Sequence, residues 1–267
     1  MIYVNSIALQ QNHFPDGTLN LKIPPIAYSE DKPVMLTWNY ENDAELFTPF
    51  CARRHFRDRP VSLFMDYIPH ARMDRVKNDE DVFTLKYFCE VINSLNFKRV
   101  YVLDPHSSVS TALLDRVVVA NAGCHIQHVI NDIYANIDDP RGLRAFFPDE
   151  GAMKRYSEHA TMPCAFGVKN RDWTTGKILG LNIVNSENIK DKTILIVDDI
   201  CSRGGTFYHS AKALKEYTDK DIYLYITHCE KTILEGELIK SGLIKRVYTA
   251  NALFEIPEEY KDFIIEL

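Results

Sequence analysis

Thr193-Ile194-Leu195-Ile196-Val197-Asp198-Asp199-Ile200-Cys201-Ser202-Arg203-Gly204-Gly205-Thr206 is an apolar run that ends in two carboxylates and passes through Gly-Gly-Thr into an amphipathic segment. The apolar run reads as a strand covered on both faces, and residues 205–217, with Phe207, Ala211 and Leu214 on one face, read as the helix that follows. Ligands of open α/β sheets bind beyond the carboxyl ends of the strands. Glycines there let backbone N–H groups close around a phosphate at a helix N-terminus, where the dipole favours an anion. Asp198 and Asp199 repel phosphate, so before such a cup they suit sugar hydroxyls or a magnesium ion. A bare D-D or G-G is usually a strand end or a turn; the whole string points to a sugar-phosphate site.

Working outward, further strands are expected at 34–40, 61–68, 99–104, 143–147, 222–227 and 246–249, with helical patterns between them such as 81–95. Strands alternating with helices predict an α/β fold with mostly parallel sheets. The number of units exceeds one ordinary sheet, so two domains are expected, 1–128 and 129–267. With 267 residues, 46% hydrophobic and 25% charged, the chain is neither disordered nor collagen-like. A net charge of −6 argues against broad nucleic-acid binding. No apolar run is long enough for a membrane helix, and residues 1–5 do not open a signal peptide. The six scattered cysteines read as buried free thiols of a cytoplasmic protein, with no C-x-x-C pair for zinc or disulfides.

The apolar–D-D-x4-G-G-T string resembles the ribose-5-phosphate motif shared by type I phosphoribosyltransferases and ribose-phosphate diphosphokinases, the PRPP synthetases. Tyr67-Ile68-Pro69-His70-Ala71-Arg72-Met73-Asp74-Arg75 resembles a signature of the diphosphokinases alone, usually Y-x-x-x-A-R-Q-D-R. Physically, Arg72 and Arg75 offer guanidinium forks for a polyphosphate; the plain alternative is a self-paired surface loop. Asp104-Pro105-His106 is similar to the family's D-L-H, Pro148-Asp149-Glu150-Gly151 to its P-D-x-G-G, and Phe14-Pro15-Asp16-Gly17 to its F-S-D-G. Val168-Lys169-Asn170-Arg171-Asp172 resembles its D-K-R-R loop. Each short match is weak alone, and their common order carries the resemblance.

The resemblance implies two phosphoribosyltransferase-type α/β domains with the active site between them. It assigns ATP to Arg72, Asp74, Arg75 and His106, together with Phe14 and Asp16 of a neighbouring subunit in a homo-oligomer, dimer or hexamer. It assigns the acceptor to Asp198, Asp199, Ser202, Arg203, Gly204, Gly205 and Thr206. Lys169, Arg171 and His106 become catalytic, and His106 and Asp149 attend Mg2+. The anomeric hydroxyl of a 5-phosphorylated ribose attacks the β-phosphorus of ATP, and AMP leaves. No nucleic acid or membrane partner is implied.

Some positions depart from the family. Thr18 replaces a glutamate, Met73 a glutamine, and Ala152 the second glycine. The acceptor loop usually reads D-D-x-x-D-T-G-G-T, and here Ser202 and Arg203 replace its aspartate and threonine. Arg203 suits a diphosphate that continues outward, and Ser202 removes repulsion. The acceptor reading therefore leans to ADP-ribose, as in a divergent branch thought to rebuild NAD, over ribose 5-phosphate. A phosphoribosyltransferase and a non-catalytic regulatory relative stay as alternatives.

Overall fold

The structure is a computed structural model describing residues 1–27, 33–171 and 178–267, with the side chains of 169–171 and 178–179 outside the description. It divides into two compact units, Met1–Asn121 and Ala122–Leu267. The division falls earlier than the expected 128, because a continuous helix starts at Gly123 and carries Ile126, Val129, Ile130 and Ile133 into the second core. Among the described residues, no helix is long and apolar enough to cross a membrane.

In the first unit a six-stranded sheet has the order β2-β1-β5-β6-β7-β8, with β1 (Ile2–Val4), β2 (Ile7–Ala8), β5 (Val34–Trp38), β6 (Val61–Met65), β7 (Val100–Leu103) and β8 (Val117–Ala120). From β5 to β8 every pairing is parallel, while β1 runs antiparallel to both its neighbours. The connections are α1 (Phe47–His55), α2 (Thr84–Ser94) and α3 (Ser108–Leu113). A separate hairpin pairs β3 (Gln10–His13) with β4 (Leu19–Lys22). The α2 stripe expected from the sequence is buried as Leu85, Phe88, Cys89 and Ile92.

The second unit opens with α4 (Gly123–Asn136) and holds a seven-stranded sheet of order β11-β10-β9-β12-β13-β14-β15. Its strands are β9 (Leu143–Phe147), β10 (Cys164–Arg171), β11 (Ile178–Val184), β12 (Thr193–Cys201), β13 (Ile222–Cys229), β14 (Arg246–Ala252) and β15 (Ile264–Glu266). Its remaining helices are α5 (Glu150–Tyr156), α6 (Gly205–Leu214) and the short α7 (Glu237–Lys240). All pairings are parallel except β10 with β11. β13 is buried at every residue, which explains the apolar run over its first five positions, Ile222 to Ile226.

The order of this sheet positions the site. The chain leaves β9 through α5 for β10 on one side, and leaves β12 through α6 for β13 on the other. Ala152 and Tyr156 of α5 join one core cluster, and Phe207, Ala211 and Leu214 of α6 join the other. Two helices diverging to opposite faces leave a crevice at the carboxyl ends of β9 and β12. Three cysteines are buried as expected, with the Cys89 thiol pushed up to about 12 by burial, but Cys124 is exposed.

Candidate active site

In the second unit β12 is longer than the sequence suggests. It continues through the two carboxylates to Cys201, because β13 continues to pair with it as far as Cys201↔Cys229. Asp199 is buried at 5% exposure, and its Oδ2 accepts from Arg155 Nη1 of α5 at 3.1 Å. Burial, the adjacent Asp199 and then Asp149 push the Asp198 carboxyl well above the usual carboxylate range, against a hydrogen bond from Asp199 N–H at 2.9 Å. Asp199, although at the carboxyl end of its strand, is thus closed off from solvent.

The buried ion pair gives a prediction. Asp199→Asn keeps the shape but removes the charge that faces Arg155 at 3.1 Å, at a cost of about 2 kcal/mol. We expect a lower Tm together with a raised acceptor KM, measured by calorimetric melting and steady-state kinetics. An unchanged KM would reduce Asp199 to a structural role.

The loop beyond β12 has the shape of an anion cup. Gly204 takes φ +73° in the left-handed region, and its carbonyl accepts the first helical bond, from Tyr208 N–H at 2.9 Å. A Cβ there would lie 2.9 Å from Leu238 Cδ2, so the position requires glycine on two counts. Gly205 and Thr206 are exposed at the start of α6, whose first N–H groups have no acceptor within the helix. Arg203 is 75% exposed and pairs through Nη2 with Glu235 Oε2 at 3.4 Å.

The other second-unit residues lie at the same end of the sheet. Asp149 caps α5, its Oδ1 accepting from Ala152 N–H at 3.1 Å. Lys169 and Arg171, expected on a loop, are instead strand residues of β10, paired with Leu181 and Ile178 of β11. Their side chains, and Asp172, lie outside the described residues. β9 pairs with β10 only as far as Phe147↔Phe166, so the backbone carrying Lys169 and Arg171 runs on past the end of β9.

The first-unit residues follow the carboxyl ends of the neighbouring parallel strands β6 and β7. The 67–75 loop is pinned by buried Ile68 and Ala71, and by His70, whose Nε2 lies 3.0 Å from Asp43 Oδ1. Arg72 and Arg75 are exposed, and Arg75 Nε donates to Asp74 Oδ1 at 3.1 Å. His106 is half-buried in the turn after Asp104, whose N–H donates to Ala120 O at 2.8 Å. Phe14 is 52% exposed at the tip of the β3–β4 hairpin. Thr18 there holds Asp16 through its hydroxyl at 2.7 Å and its N–H at 3.0 Å, drawing the Asp16 carboxyl below its ordinary range. Where the family has a glutamate, this chain thus has a residue that orients the neighbouring acid.

Among the described residues, no three His, Cys, Asp or Glu side chains form a metal-holding group. His106 belongs to the first unit and Asp149 to the second. Asp149 is close enough to Asp198 to raise its carboxyl, so the crevice concentrates negative charge. Oxygen-only carboxylates fit magnesium, which takes one or two of them and completes its shell with water and substrate phosphates.

Arg155 and Glu230 carry no motif of their own, and the sequence reading missed both. They belong to the site because α5 and β13 deliver them there, Arg155 to Asp199 and Glu230 to Ser202 Oγ at 2.6 Å. The D-D string named the carboxylates but not the groups that hold them.

No family model matches the chain. It is 25% identical over 213 residues to a ribose-phosphate pyrophosphokinase of Saccharolobus solfataricus, covering 77% of this chain and 71% of that protein. It is 26% identical over 266 residues to the ribose-phosphate pyrophosphokinase of Bacillus caldolyticus, covering 96% and 81%. The structure superposes on a phosphoribosylpyrophosphate synthetase of Mycobacterium smegmatis with a TM-score of 0.77 at 18% identity, over 97% of this chain and 85% of that one. Through both units the chain is similar in sequence to ribose-phosphate pyrophosphokinases, and it shares the fold of a phosphoribosylpyrophosphate synthetase.

Proposed function

We propose that the protein is a ribose-phosphate diphosphokinase that transfers the β,γ-diphosphate of ATP to ribose 5-phosphate. The observation that carries the reading is the β12 crevice, where carboxylates directly precede a glycine cup at the start of α6. The Gly205 and Thr206 N–H groups bind the 5-phosphate, while Asp198 and Asp199 accept from the ribose hydroxyls and orient the sugar. Arg155 holds Asp199 in place. The anomeric oxygen forms a bond to the β-phosphorus as the bridge to the α-phosphate breaks, AMP departs, and the hydroxyl proton passes to solvent. Crevice carboxylates such as Asp149 would hold a magnesium ion, which would supply positive charge against the phosphate oxygens. Lys169 and Arg171 supply positive charge to the transferring group. Arg72, Asp74, Arg75 and His106 bind ATP, with Phe14 and Asp16 gripping adenine in a homo-oligomer.

The similarity of both units to diphosphokinases, and the Arg72–Arg75 loop, favour this reading over a phosphoribosyltransferase. The acceptor expectation changes as well. Arg203 was read as a fork for the second phosphate of ADP-ribose, but its guanidinium is matched to Glu235. The relatives are also named for ribose phosphate, so ribose 5-phosphate is the better-supported acceptor.

Incubation with Mg-ATP and ribose 5-phosphate should yield AMP and a 1-diphosphate. ADP with a monophosphorylated sugar would mean another reaction class. The kcat/KM for ribose 5-phosphate is expected to exceed that for ADP-ribose at least about tenfold, and Arg203→Thr should change either by less than about threefold. Preference for ADP-ribose that is lost in Arg203→Thr would restore the other acceptor.

A further inference from the structure

The resemblance places an aspartate where this chain has Ser202, and the structure brings a different carboxylate to that position. β12 and β13 are parallel, with Cys201 level with Cys229, so Ser202 and Glu230 leave the sheet side by side. Glu230 N–H donates to Cys201 O at 2.8 Å, which fixes the Glu230 backbone against the root of the loop. Ser202 Oγ donates to Glu230 Oε2 at 2.6 Å, a length typical of a hydroxyl bonded to an ionised carboxylate. Thr232 Oγ1 donates to the same oxygen at 3.4 Å.

We propose that Glu230 replaces the loop aspartate as a positioning residue for the acceptor, acting through Ser202. The proposal rests on the diphosphokinase reading. A hydroxyl that donates to a carboxylate becomes a better acceptor itself, since successive hydrogen bonds polarise one another. Ser202 Oγ thereby presents to a ribose hydroxyl much of the basicity of an acid, with the formal charge one bond further away. The negative charge of the loop has moved to the residue that follows the adjacent strand and has not been lost.

This arrangement predicts a sign reversal between two substitutions. Ser202→Asp alone sets a carboxylate against Glu230 and should weaken acceptor binding by repulsion. In a Glu230→Gln background the same substitution restores one acid and should help. Four proteins are compared, the wild type, E230Q, S202D and the double variant, by kinetics at saturating Mg-ATP and by calorimetric Kd for ribose 5-phosphate. Each single variant is expected to raise KM and Kd about tenfold, as for loss of a hydrogen bond to a charged group. The expected change in kcat is within about twofold, and the double variant should return to within about threefold of wild type. Wild-type KM and Kd in E230Q, or a double variant no better than the worse single one, would overturn the proposal even if the melting temperature falls. If the wild type makes no AMP, the diphosphokinase reading fails and the Kd comparison alone judges Glu230. Absence of ribose 5-phosphate binding by the wild type would overturn both.

Discussion

Lys169→Ala is expected to lower kcat by roughly 10²–10³-fold, the usual loss for removing one group that stabilises developing charge. Both KM values should shift by less than about threefold, because a cation acting on the transferring diphosphoryl group adds little to ground-state binding. In the proposed mechanism, the charge expected on a loop is carried by β10 beside its antiparallel partner β11. β10 is anchored to β9 up to Phe166, and among the described residues its continuation past that point pairs with β11. The register slips between Asn170 and Arg171, which bends the arm locally. Arg171→Ala should lower kcat in the same sense. Product formation should be followed as AMP at saturating ATP and ribose 5-phosphate. Near-native turnover in Lys169→Ala would remove that residue from the mechanism.

The parts of the fold that could be read from sequence are those whose burial is unambiguous. β9, β12 and β13 lie inside the sheet with helices on both faces, so apolar residues dominate them. β1, β11 and β15 escaped notice. Two are three-residue strands, and β11 is an antiparallel edge, where pairing is decided by a partner far along the chain or across a hairpin. β8 escaped for a different reason, since Val118 and Val119 are exposed and its apolar residues do not report a core. The site divides in the same way. Asp198, Asp199 and Gly204 stand together in one local string with a chemistry of its own. Arg155 and Glu230 acquire meaning only through tertiary contact with that string, and as isolated residues they are indistinguishable from surface charges. The lean toward ADP-ribose rested on the Arg203 guanidinium, which a sequence shows without its partner Glu235.

Gly236→Ala should disrupt the acceptor cup although Gly236 lies outside it. Gly236 has φ −80°, open to any residue, so its conformation does not require glycine. Space does, because a Cβ would lie 1.9 Å from Arg203 O and 2.9 Å from Arg203 C, both backbone atoms that cannot rotate away. Accommodating the methyl therefore means moving residues 203–204 or the start of α7, and Gly204 is already packed on Leu238 of α7. Overpacking of this kind costs roughly 1–3 kcal/mol of stability. The functional cost should be larger, since a displacement near 1 Å misaligns the cup and can lower rate about 10²-fold. The expected result is a folded protein with a lower Tm, a steep fall in kcat/KM for ribose 5-phosphate, and unchanged ATP binding by calorimetry. Arg72, Asp74, Arg75 and His106, proposed to bind ATP, belong to the other unit, so the two substrates should respond separately. A variant with native acceptor kinetics would mean that the 230–238 segment does not shape the loop. Equal loss of ATP binding would point to general unfolding in place of a local effect.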